Sequence, residues 1–319
     1  MPTERFLLIK AIGHSVWADV DHAICQIFAA ELTDRVPVVY WGMESMYSAS
    51  ISTNSFETFF EPVSNYTIED VVRPEFSYFP PVWKFKNVMA DDTDKLRMEN
   101  RGLKEMMGSN ADVLVSDIYY PISAMLPWVK AGHWAYGKTP VQIYRTLYEK
   151  YLKLKPEIKK EIQKYTNTHS NFRDERPIIG LHVRENAIVN EVAQLYDLNE
   201  LYRPRIWDFI VRYNARHIFL ITDSKRLFRQ YKKLYGKNEL LMYTDSKKEL
   251  FAPRIMTCLL DYPNKRHKGV EMQKDTIEII KDTYLAAQCD FFIGNGYSNL
   301  SNAVMRLKDW PDSNIKLLY

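Results

Sequence analysis

Two side chains capable of gripping an anion stand at the end of a short apolar run, Pro177-Ile178-Ile179-Gly180-Leu181-His182-Val183-Arg184. A proline-opened run of this kind reads as a buried strand of a parallel sheet. Ligands of open α/β sheets bind at the carboxyl ends of the strands, where His182 and Arg184 fall. A guanidinium keeps its charge at neutral pH and its fork of donors matches phosphate oxygens, so Arg184 suits a phosphate or diphosphate. An arginine at a strand end also serves commonly as a surface ion-pair partner.

Two further strand ends carry chemistry. His217-Ile218-Phe219-Leu220-Ile221 reads as a buried strand closing on Thr222-Asp223, and the run from Cys289 to Ile293 leads into Gly294-Asn295-Gly296-Tyr297-Ser298, which opens a helix at Asn299. Free backbone amides and the dipole at such a helix start favour an anion. Parallel neighbouring strands would bring all three ends to one edge, which describes a nucleotide site. Asp223 fits either a ribose or base contact or a helix cap.

Other candidate groups have ordinary readings. Asp92-Thr93-Asp94 has the spacing of a metal-diphosphate pair but no strand before it, so it reads as a solvated acidic helix start. His14 and His22 read as structural or exposed histidines, and Lys265-Arg266-His267-Lys268 as a solvated basic loop. Cys25, Cys258 and Cys289 are odd in number and widely spaced, which indicates neither a disulfide framework nor a cysteine zinc site and suits a reducing compartment.

The elements that position these groups form two α/β halves. A chain of 319 residues with 46% hydrophobic content has enough material for two cores. A net charge of +3, from 43 basic and 40 acidic residues, is too balanced by itself to imply a nucleic-acid or membrane surface, although it allows local basic patches. No stretch reaches the apolar length of a membrane span, so a soluble cytoplasmic protein is expected, with peripheral membrane contact left open. Strands are predicted near residues 6–9, 36–41 and 112–116, with a helix over 19–30, a long aromatic excursion over 42–108 able to shape an acceptor groove, and helices over 139–151 and 156–165. The loop Gly13-His14-Ser15-Val16-Trp17 has one glycine, so the dinucleotide fingerprint G-x-G-x-x-G is absent. Residues 166–176 are polar and aperiodic and read as the interdomain linker, giving an N-terminal domain over 1–170 and a C-terminal domain over 171–319. The second half continues with helices over 204–214, 225–235, 270–288 and 299–307 and a short strand over 239–243.

The blocks resemble a known family. Ile179-Gly180-Leu181-His182-Val183-Arg184 is similar to the H-x-R block of the GT-B fucosyltransferases that include the α1,6 and nodulation enzymes. Ile221-Thr222-Asp223 resembles that family's second block, and the residues from Asp282 through Ala286, Gln288, Cys289, Asp290, Phe291 and Phe292 to Ser298 and Asn299 its third. Pro37-Val38-Val39-Tyr40-Trp41 is similar to the opening of the nodulation enzymes. The resemblance implies a GT-B fold, two Rossmann-like doubly wound domains facing across a cleft. It also implies a metal-independent, inverting transfer of fucose from GDP-fucose without a cofactor. Arg184 would hold the β-phosphate, His182 and Asp282 the guanosine part, and Ser298 the diphosphate; Glu191 stands nearest the place of a catalytic base.

Glu185 stands where many relatives carry a second arginine, and Ala187 and Ile188 replace charged residues of the α1,6 enzymes. The expectation is therefore a glycosyltransferase whose donor contacts are His182, Arg184, Thr222, Asp223, Asp282, Gly294, Asn295, Gly296, Ser298 and Asn299, with Arg184 and Glu191 catalytic. Its partners are a nucleotide sugar and a glycan or lipid-linked oligosaccharide. The alternatives are another nucleotide-sugar donor, a catalytically silent glycan-binding relative, or a Rossmann-type oxidoreductase, which the missing glycine fingerprint disfavours.

Overall fold

The computed structural model describes residues 4–42, 45–48, 54–90, 102–184, 192–237, 240–244 and 269–319, with side chains over 192–198 left aside. The chain divides into two compact units, Met1–Lys155 with Tyr262–Thr276, and Pro156–Asp261 with Ile277–Tyr319.

In the first unit, β1 (Phe6–Lys10), β2 (Val36–Tyr40), β3 (Tyr78–Phe79) and β4 (Val113–Ser116) form a parallel sheet in the order β2-β1-β4-β3. Phe6, Leu8, Val38, Val113 and Val115 share one core with Val71, Trp83 and Val88. The alternate residues Leu7, Ile9 and Leu114 are fully buried too, so both faces of the sheet are covered. Helices α1 (Val16–Leu32) and α2 (Pro140–Tyr151) belong to this unit; Thr139 and Gln142 form a capping box at the start of α2. Phe56, Phe59, Phe60 and Trp83 of the aromatic excursion are core residues.

The second unit begins with α3 (Pro156–Thr168) and α4 (Ser170–Asp174). Residues 166–176 are thus largely helical, which corrects the linker expectation. The cause is aromatic anchoring: Tyr165 packs edge-on against Phe172 at 5.7 Å, and Phe172 against Phe219 of the sheet at 5.6 Å. A single buried aromatic at 172 is too sparse to register as periodicity. Five parallel strands follow, β5 (Ile178–His182), β6 (His217–Ile221), β7 (Leu241–Met242), β8 (Phe291–Asn295) and β9 (Ile315–Leu318), in the order β7-β6-β5-β8-β9. The helices are α5 (Val192–Tyr213), α6 (Lys225–Tyr235), α7 (Gly269–Ala287) and α8 (Asn299–Leu307).

Helix α5 starts well before the predicted position at Pro204, which lies inside it. Tyr202, Ile206 and Phe209 continue one buried stripe past the proline, whose ring sits on the exposed side, so packing outweighs the lost backbone bond.

One polar staple aligns the lower edge of this sheet. Asp290 accepts from the backbone N–H of Ile178 at 2.7 Å and from Arg176 Nε at 3.1 Å, while Arg176 also donates to the carbonyls of Phe172 and Gln288. Replacing Asp290 by Ala leaves the Ile178 N–H without its acceptor and takes the carboxylate from the Arg176 guanidinium, so the urea midpoint should fall by the equivalent of about 2 kcal/mol. An unchanged midpoint would show that the strands align without this staple.

Candidate functional site

Chain order in the second unit runs outward from β5 through β6 to β7, then jumps to the other side of β5 with β8 and β9. The switch point of the sheet therefore lies between β5 and β8, where such sheets bind ligands. Register makes this concrete: His182 at the end of β5 pairs with Gly294 of β8 on one side and with Ile221 of β6 on the other. Val183 continues the ladder, its N–H donating to the Ile221 carbonyl at 3.0 Å. The ends carrying Arg184, Thr222-Asp223 and the Gly294 turn consequently occupy three neighbouring strands at one edge.

The turn after β8 is built tightly. Asn295 Oδ1 accepts from Tyr297 N at 2.9 Å, and Gly296 N donates to the Leu318 carbonyl at 2.7 Å. A Cβ on Gly294 would stand 2.5 Å from the buried Ser301 Oγ and 2.6 Å from the Phe292 ring, so this position requires glycine for close approach, whereas one on Gly296 would meet only the exposed Tyr319 ring. Ser298 is the N-cap residue of α8, but its side chain makes no capping hydrogen bond. The first-turn amides of α8, at Asn299, Leu300 and Ser301, are left facing the strand ends without a side-chain cap. Such amides form an anion-binding terminus.

Each predicted residue has a definite place. Arg184 is half-buried two residues beyond β5, and among the described residues its guanidinium has no ion-pair partner. His182 is buried, with Nδ1 2.8 Å from Ser301 Oγ, and its carbonyl accepts from Tyr202 Oη at 2.8 Å. That pair ties β5 to the first turn of α8. Thr222 is buried and its Oγ1 accepts from Ser224 N, while Asp223 is exposed. The cap of α6 is Ser224, whose Oγ accepts from Leu227 N at 3.1 Å, so capping is not the role of Asp223. Asp282 on α7 is fully buried and accepts from Thr244 Oγ1 at 2.8 Å, two residues past β7. Asn295 and Ser298 are buried and Asn299 is exposed. Glu191, Glu185, Ala187, Ile188, Asp92 to Asp94, Lys265 to Lys268 and Cys258 lie outside the described residues. Ser301 and Tyr202 were not singled out from sequence. Ser301 had a signal, being the third residue of a helix that follows a glycine turn beside the His182 strand.

The first unit has its own switch point, between β1 and β4. Lys10 closes β1 fully buried, donating to the Ala90 carbonyl at 2.7 Å with its ammonium 4.7 Å from the Trp83 ring centre. Trp83 Nε1 in turn donates to Asp117 beyond β4. In the first turns of α1, Asp19 accepts from Ile12 N at 2.9 Å and from Tyr47 Oη at 3.0 Å. Burial nevertheless pushes its carboxyl up to about 7. His22 is fully buried, with Nε2 3.4 Å from the Ser116 carbonyl, and burial pushes it down to about 4. It is a neutral core histidine; His14 is exposed on the preceding loop. Cys25 and Cys289 are buried and not joined in a disulfide, Cys25 Sγ lies 3.0 Å from Tyr144 Oη, and burial pushes the thiol of Cys289 upward.

Two parallel α/β units, the second with a topological switch point between β5 and β8, have the GT-B fold. Solved structures with that fold align over nearly the whole chain. The fucosyltransferase NodZ from Bradyrhizobium is 18% identical with a TM-score of 0.60, covering 94% of this chain and 92% of that one. A structure of NodZ alpha-1,6-fucosyltransferase soaked with GDP-fucose gives 17% identity and a TM-score of 0.61, covering 99% and 98%. POFUT1 in complex with GDP-fucose gives 11% identity and a TM-score of 0.57, covering 100% and 98%. No protein-family model and no curated protein sequence matches the chain.

Proposed function

We propose that the chain is a glycosyltransferase that takes fucose from GDP-fucose and delivers it to a glycan or lipid-linked oligosaccharide. The observation that carries this reading is the edge of the second unit, where the uncapped start of α8 and the Arg184 guanidinium stand on strands flanking the switch point. The likeness to structures whose descriptions name GDP and GDP-fucose supports the choice of donor.

In this reading the acceptor hydroxyl attacks the anomeric carbon as the bond from that carbon to the diphosphate oxygen breaks, with inversion and without a metal or other cofactor. Arg184 and the α8 amides stabilise the charge gathering on the departing GDP. Asp223, exposed beside them, receives the ribose or base, with His182, Thr222, Asp282, Gly294, Asn295, Gly296, Ser298 and Asn299 completing the donor side. A carboxylate removes the acceptor proton, and Glu191 is the candidate. The acceptor belongs to the first unit and the reaction to the cytoplasm.

A thermal-shift panel tests the donor. GDP at saturating concentration is expected to raise the melting temperature by several degrees, more than NAD or UDP does. A larger shift with NAD would favour an oxidoreductase, and one with UDP another sugar donor. Glycan binding without nucleotide release from any donor would make the chain a silent relative.

A further inference from the structure

Helices α5 and α6 pack side by side on one face of the second sheet. Tyr202, Ile206 and Phe209 of α5 join Leu227, Phe228 and Tyr231 of α6 in a single core with the sheet. The Arg203 guanidinium of α5 lies close enough to Tyr231 and Tyr235 of α6 to act on both electrostatically, which places the two helices side by side. Their outward sides are unusual together. Helix α6 carries Lys225, Arg226, Arg229, Lys232 and Lys233, all exposed, and contains no acidic residue. Arg226, Arg229 and Lys233 recur at the spacing of one helical face, opposite the buried stripe, and make a cationic ridge. On α5, Pro204, Trp207 and Val211 recur at the same spacing, with Trp207 65% and Val211 66% exposed. The nearby Asp208 is occupied by Arg212 at 3.0 Å.

We propose that this paired ridge is a docking surface for an anionic lipid bilayer. Lysine and arginine match headgroup phosphates and are drawn to such a surface. A tryptophan flanked by proline and valine suits the boundary between headgroups and acyl chains, where indole rings settle. A nucleic acid would satisfy the cations but would leave the apolar ridge in water. Among the described residues no helix is long and apolar enough to cross a membrane, so the contact is interfacial. The inference does not depend on the donor proposal, because it uses side chains on the outer faces of α5 and α6 and none of the strand-end groups.

Vesicle flotation of the full chain tests it. Binding is expected to vesicles of phosphatidylcholine and phosphatidylglycerol in equal parts, to fall steeply with added salt, and to be absent with phosphatidylcholine alone. Reversing the ridge with R226E/R229E/K233E should weaken binding about a hundredfold, and Trp207→Ser alone about tenfold. All four positions are exposed, so melting temperatures should stay near wild type; should the triple variant unfold, Trp207→Ser and the salt series carry the test. Absence of binding to the anionic vesicles, equal binding to neutral ones, or binding unaffected by both variants would overturn the proposal. Binding to duplex DNA as tight as to vesicles and indifferent to Trp207→Ser would overturn it in favour of a nucleic-acid surface.

Discussion

Arg184→Ala is expected to lower kcat/KM for GDP-fucose by about a thousandfold while leaving the melting temperature of the free protein unchanged. The kinetic part follows from position. Arg184 stands two residues beyond β5, and β5 is central to the edge, with β6 and β8 on either side. A guanidinium there acts on charge that grows as the diphosphate departs, so its loss should appear in kcat as well as in KM. The stability part follows from the same geometry: among the described residues the side chain makes no ion pair for its removal to break. Arg184→Lys should recover only part of the activity, since an ammonium supplies charge without the planar fork. Unchanged turnover in Arg184→Ala would remove the residue from the site.

Asp19→Asn and His22→Asn should change the pH dependence of stability in opposite directions. The Asp19 carboxyl is raised from 3.8 to about 7 in the fold. Between those values the folded chain holds a proton that the unfolded chain has released, so this group lowers stability as pH rises. His22 is lowered from 6.5 to about 4, so between those values the unfolded chain holds the extra proton and this group raises stability as pH rises. The two slopes largely cancel in the wild type. Relative to wild type, Asp19→Asn should gain about 4 kcal/mol from pH 4 to pH 7, and His22→Asn should lose about 3 kcal/mol from pH 4 to pH 6.5. Urea denaturation at several pH values measures both. Parallel profiles for the two variants would mean that neither group is held in the buried state described.

The strands that build the second site were legible because each is a continuous apolar run, as strands covered on both faces must be. The two strands not anticipated lacked that signal. Tyr78–Phe79 is two residues followed by proline, and Ile315–Leu318 is an edge strand with a charged residue inside it. Pro204 has the signature of a helix start, so sequence alone shortens α5, whereas its exposed placement lets the buried stripe pass through. At the site, sequence order identified the three strand ends, but the His182 to Ser301 bond joins residues 119 apart and depends on how α8 seats against β5. The polar interior of the first unit was equally hidden. Lys10 ends an apolar strand and Asp19 falls within an apolar helix pattern, and only the tertiary fold shows that both are fully buried.

Locating bound GDP by crystallography tests the central claim most directly. The diphosphate is expected against the first-turn amides of Asn299, Leu300 and Ser301, within hydrogen-bonding reach of the Arg184 guanidinium. A diphosphate seated elsewhere, or a guanidinium turned away from it, would contradict the assignment of this strand edge as the donor site.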